Sequence, residues 1–303
     1  MTTQTIPVTP ASGLKTALDP VKDAATILDL QFAALAARRK IIEMGYTNHI
    51  RLHYGALMSM VEAMVTLYLH WLRVDPSRPD WEARDRFVLS KGHGAPALYV
   101  ALWMRGFFDE SHFIGFRRLH SILQGHPDRN KTPGVDCSSG SLGQGFPVAC
   151  GMALAAKIDQ TPNNIYAMIG DGECNEGSIW EAAQIASNLG LGHLKVVMDR
   201  NLKSSYGPMA GRNDIEPLVD KWRAFNWEVF ECDGHDFVAI TRALQQAEAV
   251  SAKPALVICH TLKGKGIPYV ENYPTKPNIL LTEETYQECL GHLEQVERQL
   301  RNE

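Results

Sequence analysis

Between residues 165 and 259 the chain alternates short apolar runs with helical periods, and this alternation limits its fold more than any other feature. Ile165-Tyr-Ala-Met-Ile169, Leu194-Lys-Val-Val-Met198, Trp227–Cys232 and Ala255–Cys259 have the length and content of buried strands. Residues 176–190, 215–225 and 236–250, between them, carry helical spacing. Arg86-Phe-Val-Leu-Ser90 adds an earlier strand that leads into Lys91-Gly-His-Gly94. Apolar strands separated by helices predict an α/β fold: a parallel sheet with helices on both faces.

Around this frame, residues 24–44 place Ile27, Leu28, Phe32, Leu35, Ile41 and Ile42 at helical intervals, and 57–72 predict a second helix. Residues 106–141 read mostly as loop, and 145–157 as a helix of small residues. The last segment, 282–302, opens on Thr282 as an N-cap and sets Tyr286, Leu290, Leu293, Val296 and Leu300 on one stripe. That stripe needs a surface, either on this domain or on a partner. The expected organisation is a loose, disordered tail over 1–20, one domain over 21–270, and a C-terminal extension over 271–303.

Composition excludes several classes. With 303 residues, 45% hydrophobic and 21% charged, the chain has enough apolar material for a sizeable core. A formal net charge of −4 leaves no basic footprint for nucleic acid. No run of about 18 apolar residues predicts a membrane span, and the first twenty residues lack a signal-peptide core. The six cysteines (137, 150, 174, 232, 259 and 289) contain no CxxC pair, so neither a zinc site nor a disulfide framework follows, and a reducing cytoplasm is the simplest compartment.

The chemistry concentrates in Gly170-Asp-Gly-Glu-Cys-Asn-Glu-Gly177 and Asp199-Arg-Asn201. The first string starts where a predicted strand ends, and ligands of parallel sheets bind at the carboxyl ends of strands. Asp171 there presents a hard carboxylate oxygen, and Gly170 and Gly172 let a phosphate approach the backbone. Asn201 ends the next strand, and its amide oxygen can join Asp171 on one cation. Mg²⁺ takes oxygen ligands, few of them from protein and the rest from phosphate and water, so a metal-bridged diphosphate is the natural ligand.

This string resembles the thiamine-diphosphate signature, Gly-Asp-Gly followed about thirty residues later by Asn. Four further segments resemble transketolase: Arg84-Asp-Arg-Phe-Val-Leu-Ser-Lys-Gly-His-Gly94; Phe116-Arg-Arg-Leu-His120 with Gly125-His-Pro127; Pro133-Gly-Val-Asp-Cys-Ser-Ser-Gly-Ser-Leu-Gly-Gln-Gly145; and Lys263-Gly-Lys-Gly266. The resemblance implies that residues 21–270 form a domain binding thiamine diphosphate and Mg²⁺ (or Ca²⁺). It implies Asp171, Asn201 and the Lys203 carbonyl as metal ligands, and Gly172 at the diphosphate. It implies His93 at the diphosphate or substrate, and Gly140 and Leu142 lining the cofactor. His53 would meet the substrate, His126 the donor's hydroxyl groups, and Arg117 the phosphate of an acceptor sugar. Histidines suit proton movements near neutral pH, and an arginine fork suits a terminal phosphate. Glu176 and Glu181 either cap and solvate their helix or, as in the family, join an acidic link between two active sites. The other histidines, including His49, His70, His112, His120, His193 and His292, keep a surface or capping role.

The sequence also departs from the family. Arg51-Leu52 and Tyr54 flank His53 where the family carries small residues and proline, and a Leu and a Tyr there are expected to reshape the substrate mouth. His260 replaces a family lysine. The histidine expected after Lys263-Gly-Lys-Gly266 is missing, which puts ordinary sugar-phosphate specificity in question. The expected activity is transfer of a two-carbon ketol unit from a ketose to an aldehyde. A carboligase using a 2-oxo acid or an unusual donor, and a non-catalytic homologue, are the alternatives. Only about thirty-five residues follow Gly266, too few for another α/β domain. The resemblance therefore implies a second subunit carrying the pyrimidine-binding half, in an α2β2 assembly.

Overall fold

Strand residues of one parity face one helical layer, and those of the other parity face the opposite layer. In the computed structural model, which describes residues 13, 15–204, 207–272 and 278–302, strand β2 (Ile165–Gly170) shows this most clearly. Tyr166 and Met168 enter one core, and Ile165, Ala167 and Ile169 the other. Strands β1 (Arg86–Leu89), β3 (Leu194–Arg200), β6 (Glu228–Asp233) and β7 (Ala255–His260) complete a sheet of order β1-β2-β3-β7-β6, every pair parallel. Two short strands, β4 (Lys203–Ser204) and β5 (Gly207–Pro208), form a separate antiparallel pair.

Helices α1 (Ala24–Thr47), α2 (Tyr54–Ser59), α3 (Val61–Thr66) and α4 (Ala95–Arg105) precede the alternating part. After them come α5 (Gly145–Ile158), α6 (Gly177–Asn188), α7 (Leu218–Ala224), α8 (Phe237–Glu248), α9 (Pro268–Glu271) and α10 (Glu283–Arg301). Residues of α5, α6 and α7 fill one core; residues of α1, α3, α4 and α8 fill the other. The chain steps β1, β2, β3 in one direction, passes to the edge at β6, then returns inward to β7. Its return helix, α8, sits on the opposite face, as crossovers of constant hand require. The connections leaving the neighbours β3 and β7 therefore part to opposite faces, and α/β sheets bind ligands outside the carboxyl ends of such strands.

The expected α/β sheet with helices on both faces is what forms. The helix expected over 57–72 is interrupted: α2 stops at Ser59, α3 begins at Val61, and Leu67–Trp71 widens into a π turn closed by Leu72 N–H to the Leu67 carbonyl (2.7 Å). Of the expected loose tail, residues 1–12 and 14 lie outside the described residues. The rest of it is packed: Leu18 is buried and donates its N–H to Thr241 Oγ1, and Lys15 pairs with Asp85 and Glu248. No helix among the described residues is long and apolar enough to cross a membrane.

The stripe of the last helix finds its surface within this chain. Thr282 caps α10, and the helix lies on α1 with Cys289 and Leu293 buried. Tyr286 stacks on Tyr46 of α1 at 4.0 Å between ring centres. Leu293→Ala is expected to leave a cavity and lower unfolding stability by about 3 kcal/mol. Urea unfolding should show a lower midpoint, whereas an unchanged midpoint would mean that α10 docks weakly.

Candidate active site

The carboxyl edge of the sheet carries an acid at the end of its central strand, and that acid gathers the loops. Asp199, the penultimate residue of β3, is fully buried and accepts hydrogen bonds from Lys91, Ser59 Oγ (2.6 Å), Thr261 Oγ1 and Asn201 Nδ2 (3.3 Å). These donors come from the turn after β1, the end of α2, the end of β7 and the turn after β3. Burial alone would raise the Asp199 pKa. Lys91 and the hydroxyl donors outweigh it and hold the carboxyl below its ordinary value. Lys91 is itself buried, so the pair is dry.

Asp171 follows β2. Its Oδ1 accepts the Gly172 N–H (2.8 Å) and its Oδ2 the Leu202 N–H (2.6 Å), which lays the turn after Asn201 against it. Leu202 adopts φ +60°, a left-handed conformation that bends the chain at this contact. Burial, followed by the nearby charge of Asp199, pushes the Asp171 pKa up to about 6. Asn201 gives its amide N–H groups to Asp199 and Ser59, so its Oδ1 faces the other way and accepts the Lys203 N–H (3.2 Å). A Cβ on Gly172 would meet nothing within 4 Å, so open space adjoins the turn.

His93 sits in the one-turn helix Gly92–Gly94 after β1, and His53 precedes α2. Their rings are 5.2 Å apart, centre to centre. Burial, then the charge of Lys91, lowers the His93 pKa to about 3. Burial, then Lys263, His126 and Arg117, lowers that of His53. Both imidazoles are therefore neutral at pH 7. Gly92 lies so close to the Gly140 loop that a Cβ would stand 2.7 Å from Gly140 Cα, and Gly140 in turn faces His126. Buried Glu173 fastens the same loop: it accepts the Gly143 N–H (2.8 Å), the Ser90 hydroxyl and the Gly170 N–H.

The fold thus brings His53, His93, Gly140 and His126 together above Asp171, Gly172 and Asn201, with Lys203 following Asn201. Leu142 is half-buried on the Gly140 loop, and Arg117 and His126 are exposed at the rim. Glu176 lies over Gly143, where a Cβ would stand 2.7 Å from the Glu176 Cβ. Glu176 and Glu181 both face solvent. Of the surface or capping role expected for His70, the surface part fails: it is buried, with Nε2 3.0 Å from the Thr16 carbonyl oxygen.

The expectation that Leu52 and Tyr54 reshape the mouth is overturned. Leu52 is buried and pairs with Ile279 through both backbone bonds. Tyr54 is fully buried under Gly45, where a Cβ would lie 1.9 Å from its hydroxyl. The missing side chain at position 45 makes the room, a pairing invisible in local sequence. His260 is exposed and pairs with Glu231 (2.9 Å).

Sequence reasoning gave no role to Lys91, Asp199, Ser59, Glu173 or Lys263. Asp199 left a signal: an acid directly after the apolar run Val196-Val-Met198 of the central strand. Lys263 donates to the Ser204 carbonyl (2.8 Å), and its stem fills the space beside Gly55. Among the described residues, no three His, Cys, Asp or Glu side chains gather into a metal cage. A cation at this edge would take few protein ligands.

Residues 41–285 match the family model of the transketolase thiamine diphosphate binding domain. The chain belongs to that family, and it corresponds to the part of transketolase that binds thiamine diphosphate. It is 44% identical to the 6-deoxy-6-sulfo-D-fructose transketolase subunit SqwG of Clostridium sp. (strain MSTE9), covering 88% of this chain and 97% of that one. It is 36% identical to an apulose-4-phosphate transketolase subunit of Phocaeicola vulgatus, covering 86% of this chain and 92% of that one. The transketolase structure from Campylobacter jejuni superposes with a TM-score of 0.79 at 30% identity, over 88% of this chain. The match takes in 42% of that chain, so the present chain spans less than half of the solved transketolase.

Asp199→Ala would leave the Lys91 charge buried and unpaired, a loss of about 3–5 kcal/mol. Thermal unfolding should show a large fall in midpoint, and Lys91→Met in the same chain should recover part of it. Equal midpoints for the single and double variants would contradict the ion pair as the organising contact.

Proposed function

We propose that this chain is the cofactor-holding subunit of a two-subunit transketolase, transferring a two-carbon ketol unit from an anionic ketose to an aldehyde. The observation that carries this reading is the gathering of Asp171, Asn201, His53 and His93 at the carboxyl edge of the sheet.

The residues fit a metal-bridged diphosphate. The Asp171 carboxylate, the Asn201 Oδ1 and the Lys203 carbonyl form an all-oxygen donor set for Mg²⁺ (or Ca²⁺), which leaves further positions to phosphate and water. A cation beside Asp171 would also relieve the cost of two acids, Asp171 and Asp199, held close in a buried edge. The open space at Gly172 suits the diphosphate, and Gly140 and Leu142 suit the flank of the cofactor. Bound there, thiamine diphosphate would supply an electron sink for cleavage of the bond beside the donor ketone. The protein's part is to move protons and hold the donor. His53, neutral at pH 7, accepts protons from hydroxyl groups, and His93, held neutral by burial, hydrogen-bonds the diphosphate or the nearby substrate. His126 meets the donor's hydroxyls, and Arg117 receives the phosphate of an acceptor sugar as a bidentate fork. Glu176 and Glu181 extend toward a second copy of the chain in an α2β2 assembly, the partner subunit supplying the pyrimidine-binding half. A cytoplasmic location suits this assembly and its free cysteines.

Two relatives are named for unusual ketoses, one carrying a sulfonate and one a phosphate. With no histidine between Gly266 and Leu281, the favoured donor is a ketose of that kind rather than xylulose 5-phosphate. The complex with its partner subunit, cofactor and Mg²⁺ should be given 6-deoxy-6-sulfofructose, apulose 4-phosphate, xylulose 5-phosphate or pyruvate, with products read by mass spectrometry. Two-carbon transfer from one of the first two is expected. A kcat/KM for xylulose 5-phosphate above about 10⁴ M⁻¹s⁻¹, or reaction with pyruvate alone, would overturn the donor reading. In the same complex Asp171→Ala should abolish calorimetric binding of the cofactor, and unchanged affinity would overturn the site.

A further inference from the structure

The loop Leu262–Gly266 carries Lys263 to the cofactor edge, and its backbone is held by residues that do not themselves reach that edge. His235, in the turn between β6 and α8, stands at one end of the grip. Its own N–H donates to Asp233 Oδ1 (2.8 Å), and Asp236 caps α8 just behind it. Gly234 packs against β7 so closely that a Cβ would lie 2.5 Å from Thr261 Cγ2, so the two loops cannot separate without exposing that contact. The His235 Nε2 lies 2.8 Å from the Leu262 nitrogen, and its Nδ1 lies 3.1 Å from Glu62 Oε2. A backbone N–H only donates, so Nε2 accepts and the ring hydrogen resides on Nδ1, which donates to Glu62.

The grip continues from Glu62. Its Oε1 accepts from Arg38 Nη2 (2.7 Å), and Arg38 Nε donates to the Lys265 carbonyl (2.8 Å). The loop is thus held at Leu262 N–H by His235 and at Lys265 C=O by Arg38, and one buried carboxylate joins the two holders. Between these points, Gly264 N–H reaches the Gly55 carbonyl (3.0 Å), two residues after His53. Lys263 Nζ reaches the Ser204 carbonyl, three residues after Asn201. The charges that act on Lys263 are those of Asp171, Lys203, Asp199 and Lys91, all at the carboxyl edge.

We infer that His235 is a positioning residue: as an Nδ1–H tautomer clamped by Glu62, it fixes the Leu262 amide and so aims the Lys263 ammonium at the anion-binding edge. The inference rests on the reading that the cofactor's diphosphate binds at that edge. His235 touches neither cofactor nor substrate; its effect passes through Lys263.

The two nitrogens of the ring separate the roles. In His235→Gln the side-chain amide oxygen reaches the Nε2 position and still accepts from Leu262. In His235→Asn the shorter amide reaches only the Nδ1 position, keeps Glu62 and leaves Leu262 without an acceptor. Thiamine diphosphate is titrated by calorimetry, with Mg²⁺, into the cofactor-free complex of the full chain and its partner subunit. His235→Asn should weaken binding on the order of 5- to 10-fold, the scale of one lost hydrogen bond, with an unchanged thermal midpoint. His235→Gln should bind within about 2-fold of the parent. In a Lys263→Met background the further loss from His235→Asn should vanish, as expected of residues acting in series. Equal affinities for the Asn, Gln and parent chains, while Asp171→Ala loses binding, would overturn this inference and leave the site standing. So would full additivity with Lys263→Met, or a fall in affinity that tracks the thermal midpoint in both variants. Unchanged binding in Asp171→Ala would remove the site reading and this inference with it.

Discussion

The buried pair of Lys91 and Asp199 is the contact on which the rest of the carboxyl edge depends. A dry carboxylate at the end of a central strand is stable only if its charge is matched and its lone pairs are filled. Here the match comes from the turn after β1, and the lone pairs are filled from α2, β7 and the turn after β3. One side chain therefore fixes four segments distant in sequence. It also sets the electrostatics of the site. Burial first, and then Asp199, raises the Asp171 pKa; burial first, and then Lys91, lowers that of His93. The result is an edge where a cation is welcome beside the acids and the histidines stay neutral.

The sheet's topology explains why that contact sits where it does. Because β7 inserts between β3 and β6, the connections leaving β3 and β7 diverge to opposite faces. The turns at Asp171, Asn201 and Lys263 follow the ends of β2, β3 and β7, where α/β sheets bind their ligands. Glu173 then ties the Gly140 loop down onto this floor from the β1 side. Asp171, Asn201 and Lys263 follow strands packed between the two cores, whereas His53, Arg117 and His126 stand on loops outside the sheet.

Much of this was legible in the sequence because it is local. Strand–helix alternation, the Gly170-Asp-Gly172 turn at a strand end and Asn201 at the next strand end all fall within short windows. So does the Thr282 cap of the last helix. What the sequence hid was pairwise and distant. Tyr54 read as a mouth residue because nothing near it shows that Gly45, nine positions earlier on another helix, leaves a slot for its ring. The break after Ser59 was hidden too, since 57–72 is mostly apolar with polar residues at 59, 62, 66 and 70, a helical spacing that does not register a widened turn. Lys91 stands within a recognisable motif, yet its partner is 108 positions away. The surface on which α10 rests was undecided for the same reason: a stripe announces that it is covered, and only the fold says by what.

The central claim is that this chain holds the cofactor but does not complete the reaction. The most direct measurement compares ketol transfer by this chain alone, by its partner alone and by the two mixed at rising ratio, with cofactor and Mg²⁺ constant. The account predicts negligible rates from either one in isolation, and a mixed rate that rises to a plateau at one partner per chain. Full-rate transfer by this chain alone, with no change on adding the partner, would contradict it.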